Sequence, residues 1–335
     1  MAKNFDVVTV GGAARDITFY TKEGKLVAQF KDPLRQKLLG FEYGAKINIE
    51  KSFRTFGGGA ANAAVALARL GFKTAVIARV GKDEDGKAVV ANLVKNKIET
   101  KFVQIDPAAK TGFSFIVTFG PEVEHTAFLF RGANNNLKLA PRDLKFKTDW
   151  FYVASLSGEG WRGVLDSVIA KKETRLAWNP GNKQLAAGLS GLKKYLAKTA
   201  IFFVNKDEAI ELVTSFPKYK KASVAWLNQP KNLFGVLAEF CPGILVITDG
   251  SKGAYLSLRG KMYHQVSLSK KIVDTTGAGD SFCSSFLAGH IFYCGNVLKA
   301  LKLAALNSAR NLTGIGAQEP LLTWKEAEEK MRMAV

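Results

Sequence analysis

The feature that most constrains the fold is an alternation of short apolar runs with longer amphipathic stretches along most of the 335 residues. An apolar run of about four to eight residues between turn residues is typical of a buried strand, and a longer stretch with a period of about 3.6 residues is typical of a helix. The alternation predicts strands over 5–10, 74–80, 151–154, 201–204 and 244–248, and helices over 60–70, 164–170, 208–213, 233–240, 278–293, 297–312 and 324–333. Repeated strand–helix units favour an α/β fold with a mostly parallel central sheet and helices on both faces.

Two segments depart from this alternation. Residues 16–56 contain short mixed segments on either side of a turn at 22–25, which predict hairpin strands added to the core. Residues 111–118 and 126–130 are typical of a further hairpin pair. The expected organisation is therefore an α/β core of 1–15 and 57–335, and a smaller β unit of 16–56 with part of 111–131.

The charge balance is strongly basic, with 48 Lys and Arg against 29 Asp and Glu, a formal net charge of +19. Such an excess can mark nucleic-acid binding, attachment to an anionic membrane or a solvated surface. The basic residues are spread along the chain, and the densest cluster, 217–221, is short. We therefore expect a solvated surface rather than a nucleic-acid site.

Cysteine content and apolar run length bear on location. Cys241, Cys283 and Cys294 are an odd number without CxxC spacing, so they favour neither a disulfide framework nor a zinc site. The N-terminus lacks a long apolar region, and no uninterrupted apolar stretch approaches the roughly 18 residues that would span a bilayer. A cytoplasmic protein without a membrane segment is expected.

The segment with most chemical information is a glycine-rich turn, 274–282, which reads DTTGAGDSF and precedes a predicted helix. Such a turn presents unpaired backbone N–H groups and the positive end of the helix dipole, which together bind anions such as phosphate. Asp280 lies within it, either as a proton acceptor for an attacking hydroxyl or as a carboxylate that complements the dipole. The turn alone does not decide between these roles.

Other fingerprints are absent or incomplete. The chain has no GxxxxGK[ST], HExxH or GxSxG sequence. Residues 57–62, GGGAAN, lack the last glycine of GxGxxG and follow a hairpin region, so a dinucleotide dehydrogenase is weakly supported.

Four motifs in register make the chain resemble the ribokinase or phosphofructokinase-B (PfkB) family of carbohydrate and nucleoside kinases. The 274–280 turn is similar to the C-terminal signature of that family, and 57–62 with the small-residue helix after it is similar to the N-terminal signature. Between them, 205–208 (NKDE) resembles the NxxE element and 248–253 (TDGSKG) resembles the TxGxxG nucleotide loop. The resemblance covers essentially the whole chain and implies a three-layer ribokinase-like sandwich, with 16–56 as a β-lid over the substrate.

The resemblance also implies an activity: ATP with Mg²⁺ phosphorylates a hydroxyl of a small sugar. Asp280 would be the general base, and N–H groups of Gly277, Ala278 and Gly279 would form the anion hole. The implied ATP-binding residues are Asn205, Thr248, Gly250, Gly253, Gly277 and Gly279. The implied substrate-binding residues are Asp16, Gly58, Gly59, Asn62 and Asp280. Glu208 would act on Mg²⁺ through water, and Asp274 with carbonyls of 314–317 would hold K⁺.

Several alternatives remain open from the sequence. A nucleoside kinase would use the same machinery, with Phe19, Tyr20 or Phe128 stacked on the base. Ribokinase itself has a lysine where this chain has Gly59, and many members place a polar residue at Ala305, for which the nearby Asn307 is a weak substitute. A non-catalytic basic binding protein on this fold is a third hypothesis. Lid strands of this family can pair between subunits, so the resemblance also allows a homodimer.

Overall fold

The computed structural model describes residues 4–28, 37–119 and 125–333. Its strands are β1 (Asn4–Val10), β2 (Ala14–Thr21), β3 (Lys25–Ala28), β4 (Lys37–Gly40), β5 (Lys51–Gly57), β6 (Thr74–Ile77), β7 (Arg79–Gly81), β8 (Gln104–Asp106), β9 (Phe113–Phe119), β10 (His125–Phe130), β11 (Lys147–Val153), β12 (Arg175–Trp178), β13 (Ile201–Asn205), β14 (Ile244–Thr248), β15 (Ala254–Leu258) and β16 (Lys261–Gln265). Its α-helices are α1 (Gly59–Arg69), α2 (Glu84–Lys95), α3 (Trp161–Ala170), α4 (Asn182–Leu185), α5 (Gly188–Leu196), α6 (Lys206–Ser215), α7 (Val224–Leu227), α8 (Pro230–Ala238), α9 (Ala278–Phe292), α10 (Val297–Asn311) and α11 (Trp324–Met333).

The main sheet has eight strands in the order β16-β15-β14-β13-β12-β11-β1-β6. The six strands from β14 to β6 are parallel, and β15 and β16 add antiparallel to one edge. Parallel strands buried on both faces read as continuous apolar runs, as in β13, whose Ile201 to Val204 are all buried. The predicted mostly parallel sheet is confirmed.

Two hydrophobic cores lie on opposite faces of this sheet and define three layers. Phe203 belongs to the core packed under α1, α9 and α10, whereas its neighbour Phe202 belongs to the core packed under α3, α5, α6 and α8. Neighbouring side chains fall in opposite cores because they alternate across a strand. Close packing of α9 on α10 is allowed by Gly289, since a Cβ there would lie 2.8 Å from the Cα of Ala300.

A four-stranded sheet with the order β10-β9-β2-β5, called the small sheet below, stands apart from the main sheet. Strands β9 and β10 pair antiparallel, which confirms the hairpin predicted over 111–118 and 126–130. Strand β2 pairs with β9 in parallel and with β5 in antiparallel orientation. Part of segment 16–56 lies outside the described residues, so the strands of that hairpin region are known here only for 16–28 and 37–56.

Several helices and strands were predicted incorrectly from the sequence or were not predicted. The single strand predicted over 74–80 is two strands, because β7 leaves the main sheet and pairs with β8, where Arg79 Nε donates to Asp106 Oδ2 at 2.9 Å. A continuous apolar run does not reveal such a break. Helices α2 and α5 and strands β12, β15 and β16 were not predicted at all. Each of these strands is only four or five residues long.

Candidate active site

The glycine-rich turn begins α9, with Gly277 as the N-cap residue in the left-handed conformation at φ 76°. A Cβ at Gly277 would overlap Ala317, so both the backbone angle and the space require glycine. The first N–H groups of a helix have no intrahelical acceptor, so such a turn can bind an anion. The glycine-rich turn opens a helix as predicted, with the Ala278 N–H donating to the Thr275 carbonyl at 3.3 Å, and its binding of an anion stays a prediction.

Asp280 lies in the first turn of α9 and meets α1 directly. Asn62 Nδ2 donates to Asp280 Oδ2 at 2.7 Å, although the two residues are 218 positions apart. Burial raises the pKa of Asp280, and the hydrogen bond from Asn62 opposes that rise. A carboxylate whose pKa is raised accepts a proton more readily near neutral pH, as a general base must.

A cavity of about 280 Å³ opens beside Asp280 and is called the acceptor cavity below. The structure brings together here the six residues Asp16, Gly58, Gly59, Asn62, Gly277 and Asp280, all of which the sequence singled out. Burial raises the pKa of Asp16 to about 6, with a hydrogen bond to Ser114 opposing the rise and the charges of Asp280 and Asp274 adding to it. Two carboxyl groups in one small cavity therefore titrate above their ordinary range.

Glycines make room for these carboxylates. A Cβ at Gly57 would overlap the Asp16 carboxylate, and a Cβ at Gly59 would lie 3.4 Å from Asp280 Oδ1. Gly58 has φ 89°, and a Cβ there would press on the backbone of Gly12. The run of three glycines is therefore explained by close approach around the two acids.

The small sheet covers the acceptor cavity. Ile116, Ala127 and Leu129 line the cavity, and His125 Nδ1 lies 3.1 Å from Thr275 Oγ1 in the turn before α9. Strand register puts Phe19 and Phe128 on the opposite face of the sheet, because they alternate with the residues that line the cavity. Neither these two residues nor Tyr20 lines the cavity, so the predicted stacking residues are wrong. Among the described residues, the phenylalanine rings that line it are Phe113 and Phe130.

A second cavity, of about 490 Å³, lies on the other side of the turn and is called the nucleotide cavity below. Thr248, Gly250 and Gly253 line it together with Ala278 and Gly279, as expected for the nucleotide loop and anion hole. Thr275 lines both cavities, so the 275–280 turn separates them. The described residues that line the nucleotide cavity include no charged side chain.

Ala305 lines the nucleotide cavity, but Asn307 does not. The Asn307 side chain is fully buried, where Nδ2 donates to Ser285 Oγ at 2.7 Å and Oδ1 accepts from the Leu322 N–H at 2.8 Å. Asn307 therefore holds α10 to its neighbours and is no substitute for a polar residue at position 305.

Asn205 and Glu208 line neither cavity. They form a reciprocal capping box at the start of α6, in which Asn205 Oδ1 accepts from the Glu208 N–H and Glu208 Oε2 accepts from the Asn205 N–H, each at 2.8 Å. Burial raises the pKa of Glu208. Within the described ranges, no cluster of three or more His, Cys, Asp or Glu could hold a metal ion. A single carboxylate nonetheless fits Mg²⁺, because that ion often binds one or two carboxylates plus substrate phosphates and keeps several waters.

Asp274 is buried beneath the turn. Its Oδ1 accepts from the Thr276 N–H and its Oδ2 from the Gly316 N–H, both at 2.9 Å. Asn311 Nδ2 donates to carbonyls of the same loop at Gly316 and Ala317. Two buried oxygens of this region, Thr276 Oγ1 and Asn311 Oδ1, have no hydrogen-bond partner among the described residues. An oxygen-rich setting with unpaired lone pairs fits a monovalent cation.

Some residues of the acceptor cavity were missed from the sequence. Ser155 and Ser157 follow β11, at the carboxyl edge of the parallel sheet, where such folds bind ligands. That rule, applied to every predicted strand, would have found them. Asn134 and Arg131 come from the loop after β10, and no sequence pattern pointed to them.

Known proteins are similar to this chain in sequence. The sequence profile described as pfkB family carbohydrate kinase matches residues 33–324. A sugar kinase of Archaeoglobus fulgidus, itself uncharacterised, is 29% identical over 230 residues, which cover 67% of this chain and 86% of the relative. A fructokinase of Klebsiella pneumoniae is 28% identical over 245 residues, which cover 70% of this chain and 76% of the relative.

Solved structures have the same fold. A nucleoside kinase of Burkholderia thailandensis in complex with inosine aligns with a TM-score of 0.78 at 19% identity over 98% of each chain. A ribokinase II of E. coli with ATP and Mg²⁺ aligns with a TM-score of 0.74 at 19% identity, over 98% of this chain and 99% of the other. The ribokinase-like three-layer fold predicted from sequence is confirmed. Since the profile matches most of its length, the chain belongs to the pfkB family of carbohydrate kinases, which are ATP-using sugar phosphotransferases.

Proposed function

We propose that this protein transfers the γ-phosphoryl group of ATP to a hydroxyl of a small sugar, with Asp280 as the general base. The observation that carries the proposal is the 275–280 turn, which separates two cavities. Asp280 lines the acceptor cavity, while Ala278 and Gly279 line the nucleotide cavity. A hydroxyl beside Asp280 and a phosphate at the α9 N-terminus therefore meet at one turn, as phosphoryl transfer requires.

The chemistry follows from these positions. Asp280 takes the proton of the attacking hydroxyl. The hydroxyl oxygen bonds to the γ-phosphorus while the bond between the γ-phosphorus and the β-phosphate oxygen breaks. The N–H groups of Gly277, Ala278 and Gly279 donate to the transferring phosphoryl oxygens, where preorganised donors are usually the largest catalytic term. Glu208 would hold Mg²⁺ through water, and that ion would supply neutralisation of the phosphate charge. Asn205 then contributes to ATP binding by capping the N-terminus of α6. The acceptor is contacted by Asp16, Gly58, Gly59 and Asn62.

The size of the acceptor cavity favours a sugar. Its volume of about 280 Å³ is at the small end of the roughly 300–1,000 Å³ that is usual for ligand cavities. A nucleoside is the second candidate, favoured by the rings of Phe113 and Phe130 in the cavity wall.

The small sheet would be the lid, which excludes water and so protects ATP from hydrolysis. In this proposal, the contact of His125 with Thr275 in the turn belongs to the closed position of the lid. We also propose that two copies pair through this sheet. A cytoplasmic location and the lack of a nucleic-acid partner stay predictions. No described helix combines the length and apolar character needed to cross a membrane.

Replacement of Asp280 by Asn tests the proposed base. The variant keeps the size of the side chain and is expected to lower kcat by about 10²- to 10⁴-fold, because it cannot accept the proton. Equilibrium binding of ATP should change little. Asp149→Asn, at an exposed position that lines neither cavity, is the matched control and should retain activity. Full activity of Asp280→Asn would refute the assignment.

A K⁺ ion at Asp274 and the 314–317 carbonyls would strengthen the anion hole. Turnover is then expected to fall when K⁺ is replaced by tetramethylammonium at equal ionic strength, and to return when K⁺ is restored. Equal rates with both cations would contradict a cation site.

A further inference from the structure

Arg131 brings to the acceptor cavity a guanidinium that is paired with no described side chain. In β10, the alternate residues His125, Ala127 and Leu129 line the cavity, and Arg131 continues this alternation just past the strand. Arg131 is itself a lining residue. Its side chain makes no hydrogen bond or ion pair with any residue in the described ranges.

The acids of the cavity are engaged elsewhere. The Asp16 carboxyl bonds to Ser114 and feels the charge of Arg15, and Asp280 accepts from Asn62. Partial burial lowers the pKa of Arg131, which reflects lost hydration without a compensating carboxylate. Removing water from a guanidinium without supplying a hydrogen-bond acceptor costs free energy. An anionic group on the ligand would offset that cost.

We propose that the acceptor carries an anionic group, a carboxylate or a phosphate, and that Arg131 binds this group while a hydroxyl of the same molecule faces Asp280. A planar guanidinium matches either anion with two parallel hydrogen bonds. The inference rests on the proposed kinase function and adds to it a charge requirement for the substrate. Arg131 is thus a specificity-determining residue.

A matched acceptor series tests the inference. The probes are fructose as the neutral sugar, 2-keto-3-deoxygluconate as the carboxylate, fructose 6-phosphate as the phosphate and inosine as the nucleoside. ADP release and calorimetric binding are measured for each with the wild-type protein, Arg131→Gln and Arg131→Lys. One anionic acceptor should exceed fructose in kcat/KM, and Arg131→Gln should lower kcat/KM for that anion by about 100-fold, the usual cost of a charge-assisted bond. The same variant should change kcat/KM for the neutral acceptors less than about 3-fold. For the anionic acceptor, Arg131→Lys should give a kcat/KM between those of the wild type and Arg131→Gln, because lysine keeps the charge and loses the two parallel hydrogen bonds.

The outcomes separate the two claims. A preference for the carboxylate acceptor or for the phosphate acceptor supports the inference, and it shows which anionic group Arg131 binds. If fructose or inosine is the best acceptor, or if Arg131→Gln lowers all acceptors equally, the charge requirement is wrong while the kinase function stands. If no acceptor stimulates ADP release, the kinase function fails. The charge requirement is then decided by calorimetry alone, and the absence of anion binding overturns it.

A second observation concerns the orientation of Asn62. Gln318 Nε2 donates to Asn62 Oδ1 at 2.9 Å, and Asn92 Nδ2 donates to Gln318 Oε1 at 2.7 Å. This chain of amides leaves Asn62 only one orientation, with its NH₂ group towards Asp280. If the amide of Asn62 were reversed, its oxygen would face the Asp280 carboxylate and repel it.

We infer that Gln318 is a positioning residue, which acts on the base through Asn62. Gln318→Met keeps the shape and removes the hydrogen bonds, and should lower kcat about 10-fold, the equivalent of one hydrogen bond, with the KM for ATP unchanged. Thr199→Val is the control, because Thr199 is equally buried, its hydroxyl donates to the Tyr195 carbonyl, and it lies just before β13, at the opposite end of the strand from the site. It should lower the thermal midpoint without changing the kcat of the folded protein. A Gln318→Met protein with wild-type kcat, or one whose loss matches its unfolded fraction, would overturn this role.

Discussion

At the scale of single residues, the ionisation of Asp16 couples stability to pH. Its pKa is about 6 in the folded chain against an ordinary 3.8. A raised carboxyl pKa means that the folded state resists ionisation, so ionised Asp16 lowers the free energy of unfolding. This destabilisation is complete above pH 6, decreases as the pH falls and is absent below about pH 3.8. The wild-type protein is therefore destabilised at neutral pH by a buried acid of the acceptor cavity.

Asp16→Asn removes this penalty. The free energy of unfolding, measured with urea, should rise by up to ~3 kcal/mol at pH 8 and by nearly nothing at pH 4, since about two pKa units are worth ~3 kcal/mol. Acceptor kcat/KM should fall most above about pH 6, where Asp16 is ionised and the change removes a charged acceptor of hydrogen bonds. A stability gain that does not depend on pH would show that Asp16 does not titrate as described.

The positions of residues in the candidate site were predictable from sequence only where they lie in a recognisable turn. Asp280 and Gly277 lie in a pattern whose backbone requirements can be read directly. Arg131 and Gln318 could not be found, because a lone arginine after a strand and a lone glutamine in a loop are ordinary surface signals. Their proposed roles depend on contacts such as that of Gln318 with Asn62, 256 positions away.

At the scale of elements, the start of α9 depends on Gly277. Gly277→Ala is expected to lower the free energy of unfolding by at least ~1–2 kcal/mol, from the left-handed backbone alone, and more from overlap with Ala317. It should also lower kcat, because the anion-binding turn must move. Gly163→Ala is the control, since Gly163 lies within α3 and a Cβ there meets nothing within 4 Å. That variant should gain about 0.5–1 kcal/mol in urea unfolding. Equal effects of the two changes would contradict this account.

Element prediction succeeded where periodicity was strong. Strands β1, β11, β13 and β14 are buried on both faces and read as apolar runs, and α9 and α10 were found nearly to the residue. The division between β6 and β7 could not be predicted, because it depends on pairing with β8, a strand of three residues. Which strands pair depends on residues far apart in the sequence, so a local pattern does not predict it.

At the scale of the whole molecule, the outer face of the small sheet remains uncovered in the described structure. Its side chains include Ile17, Phe19 and Val117 with Phe115 and Phe128, the last two 37% and 57% exposed. An apolar patch of this kind on a soluble domain usually marks an interaction site. A second copy can cover it with the same face, which closes the assembly at two chains.

Light scattering and sedimentation test this pairing. The wild-type protein should be a dimer, and Phe128→Glu should be a monomer with an unchanged thermal midpoint. Val94→Glu, at an apolar residue of α2 that is also 57% exposed, is the control and should stay dimeric. Because each chain carries a net charge of +19, added salt should strengthen the dimer by screening the repulsion. A monomeric wild-type protein at all salt concentrations would exclude the interface.

The bond between Asn62 and Asp280 also has a consequence for synthesis on the ribosome. The 218 positions between them take roughly 10–45 s to translate at about 5–20 residues per second. During that interval α1 exists with its buried small residues and no α9 to pack against. Aggregation or proteolysis of this growing chain is therefore a hazard until α9 emerges, and two partners of the site, Gly316 and Gln318, emerge later still.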